Sequence, residues 1–203
     1  MNQGSNLEVE VKFLVDDLAA WRARLEAAGA RQVKPRLHER NVRFDDGASS
    51  LLRKGQLLRL RQDDGARLTF KGMAEADHTS EAKVREELET SVGDFETAAE
   101  ILGRLGFGPR QVYEKYRETF HLEDVEVVLD ELPFGDFLEL EGHEDGIRNA
   151  AQQLGLAWEE RILDNYLLLM ARVKDYYELP FNDLTFANFE GREVSIADVL
   201  QRA

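Results

Sequence analysis

Glu8, Glu10 and Lys12 alternate with Val9 and Val11 close to the N-terminus. Successive side chains of an extended strand point to opposite faces, so the two carboxylates and the ammonium would share one face, with Leu7, Val9, Val11 and Phe13 on the other. The pattern returns along the chain: Arg59 and Arg61 beside Leu58 and Leu60; Arg67, Thr69 and Lys71 beside Leu68 and Phe70; Arg85, Glu87 and Glu89 beside Val84 and Leu88. Lys115, Arg117 and Thr119 share another such face, Asp130 ends a Val-rich run, and Glu139 and Glu141 alternate with Leu138 and Leu140. One strand of this kind reads as a solvated face held by cross-strand ion pairs. Many strands read differently, because the acids come in doublets and arginine outnumbers lysine. Two like charges about 4 Å apart repel by about 4 kcal/mol at an effective dielectric near 20, so gathered acid doublets call for a cation and gathered basic residues for an anion. A polyphosphate with a divalent metal meets both demands, since it takes guanidinium hydrogen bonds and shares oxygen-loving cations with carboxylates.

The elements that would position these residues are eight strands, at 7–13, 40–45, 57–62, 66–71, 84–90, 111–120, 125–130 and 136–141, several separated by Asp-Gly or Gly turns such as Asp46-Gly47, Asp64-Gly65 and Phe134-Gly135. Helical spacing appears at 16–28, where Leu18, Trp21 and Leu25 form one face, at 94–105, at 145–154, and over 161–177, where Tyr166, Leu169, Met170 and Val173 face the core. Residues 179–189 read as loop and 196–200 as a short helix. Asp16-Asp17 suits a helix start. Strand dominates and helices interleave irregularly, which favours an α+β fold of antiparallel hairpins over a doubly wound parallel sheet. Eight strands can close into a barrel. Helices would then cover the apolar outer faces and leave the ionic faces inside.

Composition narrows the setting. The 203 residues are 43% hydrophobic and 33% charged, enough for a sizeable core. Without cysteine there is no disulfide, thiolate metal site or cysteine nucleophile. No apolar run reaches the roughly 18 residues of a membrane span, and the first residues lack the character of a signal peptide, so a cytoplasmic location and no membrane partner are expected. A net charge of -14 argues against nucleic acid as a partner and requires any anion site to be locally basic.

The Glu8-x-Glu10-x-Lys12 start, the Leu58-Arg59-Leu60-Arg61, Thr69-Phe70-Lys71 and Lys115-x-Arg117 strands, and the run from Leu129 to Gly142 strongly resemble the triphosphate tunnel metalloenzymes, the CYTH superfamily named after class IV adenylyl cyclase and thiamine triphosphatase. The match runs in order from about residue 7 to about 175, so residues 1–175 are expected to form one tunnel domain with 176–203 packed on it. The resemblance implies an eight-stranded antiparallel barrel with helices outside, holding a small-molecule triphosphate and Mg²⁺ or Mn²⁺. It implies Glu8, Glu10, Asp130, Glu139 and Glu141 at the metal, and Lys12, Arg59, Arg61, Lys71, Lys115 and Arg117 on the phosphates. Glu87 and Glu89 are similar to the acids of the family's fifth strand; Glu87 joins the catalytic set, though the resemblance leaves open which of the two acts. The second strand departs from the pattern, with Arg43 where members often carry an aromatic residue, and Arg40 and Arg43 are set outside the site.

Phosphoryl transfer asks mainly for positioning and charge neutralisation. Hydrolysis of a triphosphate to orthophosphate is the expected reaction, with cyclisation of ATP to cyclic AMP and pyrophosphate as the alternative and non-catalytic polyphosphate binding as the third. His38, His78, His121 and His143 lack the pairing of a zinc helix, and Gly103, Gly106 and Gly108 follow a helix and so mark its end. Trp21, Tyr166 and Met170 read as core. The aromatic tail from Tyr176 has three uses open to it, closing a tunnel mouth, joining a homodimer interface or packing on the barrel, and packing is expected.

Overall fold

The computed structural model describes residues 7–73 and 80–201. Its eight strands are β1 (Leu7–Val15), β2 (Arg31–Asp45), β3 (Leu57–Gln62), β4 (Ala66–Met73), β5 (Lys83–Val92), β6 (Gly108–Leu122), β7 (Val125–Leu132) and β8 (Gly135–Glu141). Hydrogen-bonded neighbours follow the order β1-β5-β4-β3-β2-β6-β7-β8, and β8 pairs back to β1, so the antiparallel sheet closes as expected. The helices are α1 (Leu18–Ala27), α2 (Ser50–Arg53), α3 (Phe95–Arg104), α4 (Glu144–Gln153), α5 (Tyr166–Tyr177), α6 (Phe186–Phe189) and α7 (Ile196–Leu200). By internal contacts the chain divides into two units. The first comprises Leu7–Val9 with the described part of 39–112, the second 10–38 with 113–201.

In the first unit the apolar parity of β2, β3 and β4 turns toward α3. Val42, Phe44 and Leu60 are buried with Phe95 and Leu102 of the helix, and Leu58, Leu68, Ala98 and Ala99 pack against them. Asp94 starts α3 by accepting a hydrogen bond from the Thr97 amide at 2.7 Å. Arg40 belongs to the same side, its guanidinium 5.4 Å from the Phe95 ring centroid.

In the second unit α4 buries Ile147, Ala150 and Ala151 and lies on β7 and β8. Helix α1 is capped by Asp17, whose carboxylate accepts from the Ala19 and Ala20 amides. Its Arg22 forks onto the buried Glu118, which also takes the Gln32 amide. Helix α5 departs from the expectation that helices cover only the outer faces. By strand parity Leu14 shares a face with Lys12, Leu132 with Asp130, and Phe137 with Glu139, so the ionic face ends in apolar residues that need a cover of their own. Helix α5 supplies it with Tyr166, Leu169, Met170 and Val173, in one cluster with Tyr113, Leu132 and Phe137. The tail joins the same cluster through Leu179, Leu184, Phe189, Ile196 and Val199. Its backbone is tied on as well: the Glu114 amide donates to the Leu184 carbonyl at 2.8 Å and the Ile196 amide to the Phe134 carbonyl at 2.9 Å.

Several boundaries moved, three of them furthest. Strands β2 and β6 are each 15 residues long, because residues 31–38 and 108–110 are mostly exposed and so lack the alternation that announces a half-buried strand. Helix α5 begins at Tyr166, capped by Asn165, since Ile162 is held extended in a bridge to Lys12. Short α2 and α6 went unseen.

One register pair carries a stability prediction. Asp136 lies opposite Glu131, and burial followed by that neighbouring carboxylate pushes its pKa up to about 6. A carboxyl whose folded pKa is raised binds more protons folded than unfolded, so it weakens the fold as pH climbs from about 4 to about 6. Asp136→Asn is expected to stabilise the protein by about 1 kcal/mol at pH 7.5 and by much less at pH 4, a difference that urea melts at the two pH values would resolve.

Candidate functional site

The sequence places charged residues at one parity of each strand, and the register decides which of them meet. In the second unit Glu10 lies opposite Glu141, Lys12 opposite Glu139, and Arg117 opposite Asp130, all turned to one face. Lys12 is 2% exposed, with its ammonium 3.6 Å from Glu10 and 3.7 Å from Glu139. Burial alone would lower its pKa, but the charges of Glu10 and Glu139 outweigh burial and raise it. Lys115 donates to Asp130 Oδ2 at 2.9 Å, and Arg117 forks onto both Asp130 oxygens while also reaching Glu139 at 2.5 Å. Burial pushes the Glu139 carboxyl up, yet the Arg117 charge holds it below its ordinary value, so it stays ionised near neutrality. Asp130, fully buried, is occupied by four such donors.

The fourth donor is Tyr166, which sequence reasoning placed in the core. Its hydroxyl donates to Asp130 Oδ2 at 2.8 Å, and the Lys12 and Lys115 ammoniums stand 5.4 and 5.2 Å from its ring centroid. Burial first, then Asp130, drives its pKa well above that of free tyrosine, so it remains a donor. Helix periodicity gave its direction correctly; nothing in the spacing disclosed that the neighbours beneath it were ionic.

In the first unit Lys71 donates to Glu8 at 2.6 Å and lies 3.0 Å from Glu87. Arg59 stands 3.8 Å from Glu87 and 3.6 Å from Glu89, and bonds Thr69 Oγ1 at 3.2 Å. Arg61 bonds Glu89 at 3.2 Å and approaches Glu39 at 3.6 Å. Burial raises the Glu87 carboxyl, but the Lys71 charge and hydrogen bond, with Arg59 behind them, bring it below its usual range. Both fifth-strand acids therefore sit on the ionic face. Arg43, set aside from sequence, is on it too: it pairs across the ladder with Arg59 and lies 3.4 Å from Asp45. Asp45 in turn accepts from the Asp46, Leu51 and Leu52 amides and fixes the turn into α2.

Each predicted site residue thus lies at the parity read from the sequence, grouped within its own unit. Among the described residues no three acids or histidines converge closely enough to hold a metal ion as they stand, because the acids are turned to lysine and arginine. The donor chemistry nevertheless suits a hard cation, with Glu10 and Glu141 facing each other across β1 and β8 and Glu139 beside them. The histidines stay outside these groups: His38 packs edge-on to Tyr116, His121 approaches Glu126, and His78 lies outside the described residues.

An antiparallel ring with one ionic parity defines a class before it defines a protein. The family model described as the CYTH domain matches residues 6–161, and the chain belongs to that family. A Methanocaldococcus jannaschii protein named "putative adenylate cyclase MJ0240" is 33% identical over 137 residues, covering 66% of this chain and 76% of its own length. The solved PH1012 protein of Pyrococcus horikoshii is 28% identical, with a TM-score of 0.65 over 78% of this chain and 96% of that one. A Hippeastrum protein described as a "putative adenylyl cyclase" that reveals a dominant triphosphatase activity shares the fold at 19% identity and a TM-score of 0.56, over 78% of this chain and 91% of its own.

Proposed function

We propose that the protein is a divalent-metal-dependent triphosphatase, releasing orthophosphate from inorganic tripolyphosphate or from a nucleoside or thiamine triphosphate. The observation that carries this reading is the burial of Lys12 and Lys115, with Arg117 beside them, in a lattice of hydrogen bonds and ion pairs to Asp130 and Glu139. Burying cations is costly without partners, and the carboxylates hold these side chains oriented, as gripping phosphoryl oxygens demands. Lys12, Lys115 and Arg117, on one face of the second unit, would neutralise charge on phosphate oxygens. Glu10, Glu139 and Glu141 are the carboxylates suited to hold Mg²⁺ or Mn²⁺; Glu8 completes the family's acid set but is here engaged by Lys71. When bound, such a metal neutralises charge on phosphate oxygens and lowers the pKa of a coordinated water. Asp130, saturated by its four donors, serves by fixing Lys115 and Arg117. In hydrolysis, water oxygen bonds to the terminal phosphorus as the anhydride P–O bond breaks, giving orthophosphate and the shortened chain.

Cyclisation of ATP is the second reading, favoured by the name of the Methanocaldococcus relative. The sequence offers no motif for reading a nucleobase, which places hydrolysis first. Tripolyphosphate, ATP and thiamine triphosphate, each with Mg²⁺, Mn²⁺ or EDTA, separate the readings when all phosphorus products are resolved. Orthophosphate release with at least one substrate, abolished by EDTA, is expected. Cyclic AMP with pyrophosphate as the main products would replace hydrolysis by cyclisation, and tight binding without turnover in any metal would make the protein a polyphosphate-binding module.

A further inference from the structure

Strands β2 and β3 carry buried polar atoms that the ion pairs do not use. Asn41 is 0% exposed, and neither its amide nitrogen nor its amide oxygen has a hydrogen-bond partner among the described residues. Its partner across the ladder is Arg61, whose Nε is buried in the same condition. So is the Nε of Arg43, two residues along β2 and therefore on the same face. Stability does not account for this trio. An unmade hydrogen bond at a buried site costs the full desolvation of the group, whereas an aliphatic side chain would fill the position of Asn41 without that cost. The charges point the same way. Arg43 lies directly opposite Arg59, and Arg61 directly opposite Arg67, and like charges in register destabilise a ladder. Asp45, Glu39 and Glu89 lie against the terminal nitrogens of these guanidiniums and Asp63 stands 3.9 Å from Arg61 Nε, beyond hydrogen-bond reach, so the Nε–H groups of Arg43 and Arg61 have no acceptor among the described residues.

We infer that Asn41 and Arg43, together with Arg61, form a phosphoryl-binding subsite that takes an outer phosphate of the substrate. This deepens the triphosphate reading and rests on it. Nε–H of each arginine and Nδ2–H of Asn41 donate to phosphoryl oxygens. The Asn41 oxygen, an acceptor, suits the one P–OH that a terminal phosphate retains part of the time near neutral pH. An aspartate in its place would offer two acceptors and a repelling charge. On this assignment the arginine in an unusual second-strand position is a specificity-determining residue for the number and charge of phosphates bound.

Calorimetric titration of the full chain with inorganic tripolyphosphate in EDTA, repeated with Mg²⁺, tests the assignment, with melting temperatures measured on the same samples. Arg43→Gln and Asn41→Leu are each expected to weaken tripolyphosphate binding about tenfold, the loss of one hydrogen bond to a charged group. Asn41→Asp should weaken it further. Asn41→Leu is also expected to raise the melting temperature, an opposition of affinity and stability that a purely structural asparagine would not produce. Should the leucine variant fail to fold, Asn41→Ser removes the amide with less change of shape and carries the same expectation for affinity. Dissociation constants within twofold of the parent in both the Arg43 and the Asn41 variants overturn the subsite while leaving the triphosphate reading intact. A parent chain that does not bind tripolyphosphate under either condition overturns both.

Discussion

Asp130→Ala is expected to lower stability by about 3–5 kcal/mol and the melting temperature by about 10 °C, because it strips the shared acceptor from Lys115, Arg117 and Tyr166 and leaves the buried Lys115 without that carboxylate. The size of the effect follows from position. Asp130 is fully buried and its two oxygens take four hydrogen bonds, so no water can replace it without the sheet opening. Asp130→Asn keeps the shape but halves the acceptor capacity and removes the charge, and should fall between the two. Differential scanning calorimetry of the three proteins measures this directly; an alanine variant melting within 2 °C of the parent would remove Asp130 from the centre of the network.

The second large effect is on turnover. Glu10→Gln and Glu139→Gln are each expected to lower the metal-dependent rate at least 100-fold, the scale of about 3 kcal/mol of lost electrostatic stabilisation at a preorganised site. The two should differ in stability. Glu139 is nearly buried and holds both Arg117 and Lys12, whereas Glu10 stands 3.6 Å from Lys12, so the Glu139 variant should also melt lower. Steady-state phosphate release with Mg²⁺ and with Mn²⁺, alongside thermal melts, separates the catalytic loss from the structural one. Near-parental rates in either variant would refute its place at the metal.

Much of this was legible before any coordinates, and the reason is parity. A strand has a period of two, so Glu8, Glu10 and Lys12 could be placed on one face from spacing alone, and the same holds for Arg59 with Arg61 and Glu139 with Glu141. Register was not legible. Nothing in the spacing says that Lys12 faces Glu139 or that Arg43 faces Arg59, and on the latter point the sequence reading discarded a residue that belongs to the face. Tyr166 escaped for a different reason. Its helical period marks it as inward, but whether inward means an apolar core or a buried carboxylate depends on strands more than 20 residues away, and Asp130 lies 36 residues upstream. The outer part of β2 was missed because an exposed strand lacks the alternation on which strand reading depends.

The acids and bases of this protein already hold one another: Lys71 with Glu8, Arg59 with Glu87 and Glu89, Arg117 with Asp130 and Glu139. An arriving oxyanion therefore competes for partners that are in use, and each guanidinium or ammonium it recruits loosens a carboxylate. Carboxylates released in that way are the ligands a divalent cation requires. On the triphosphate reading, anion and cation should consequently enter as mutual promoters, each raising the other's affinity by the same factor and each taking the place of an internal counterion.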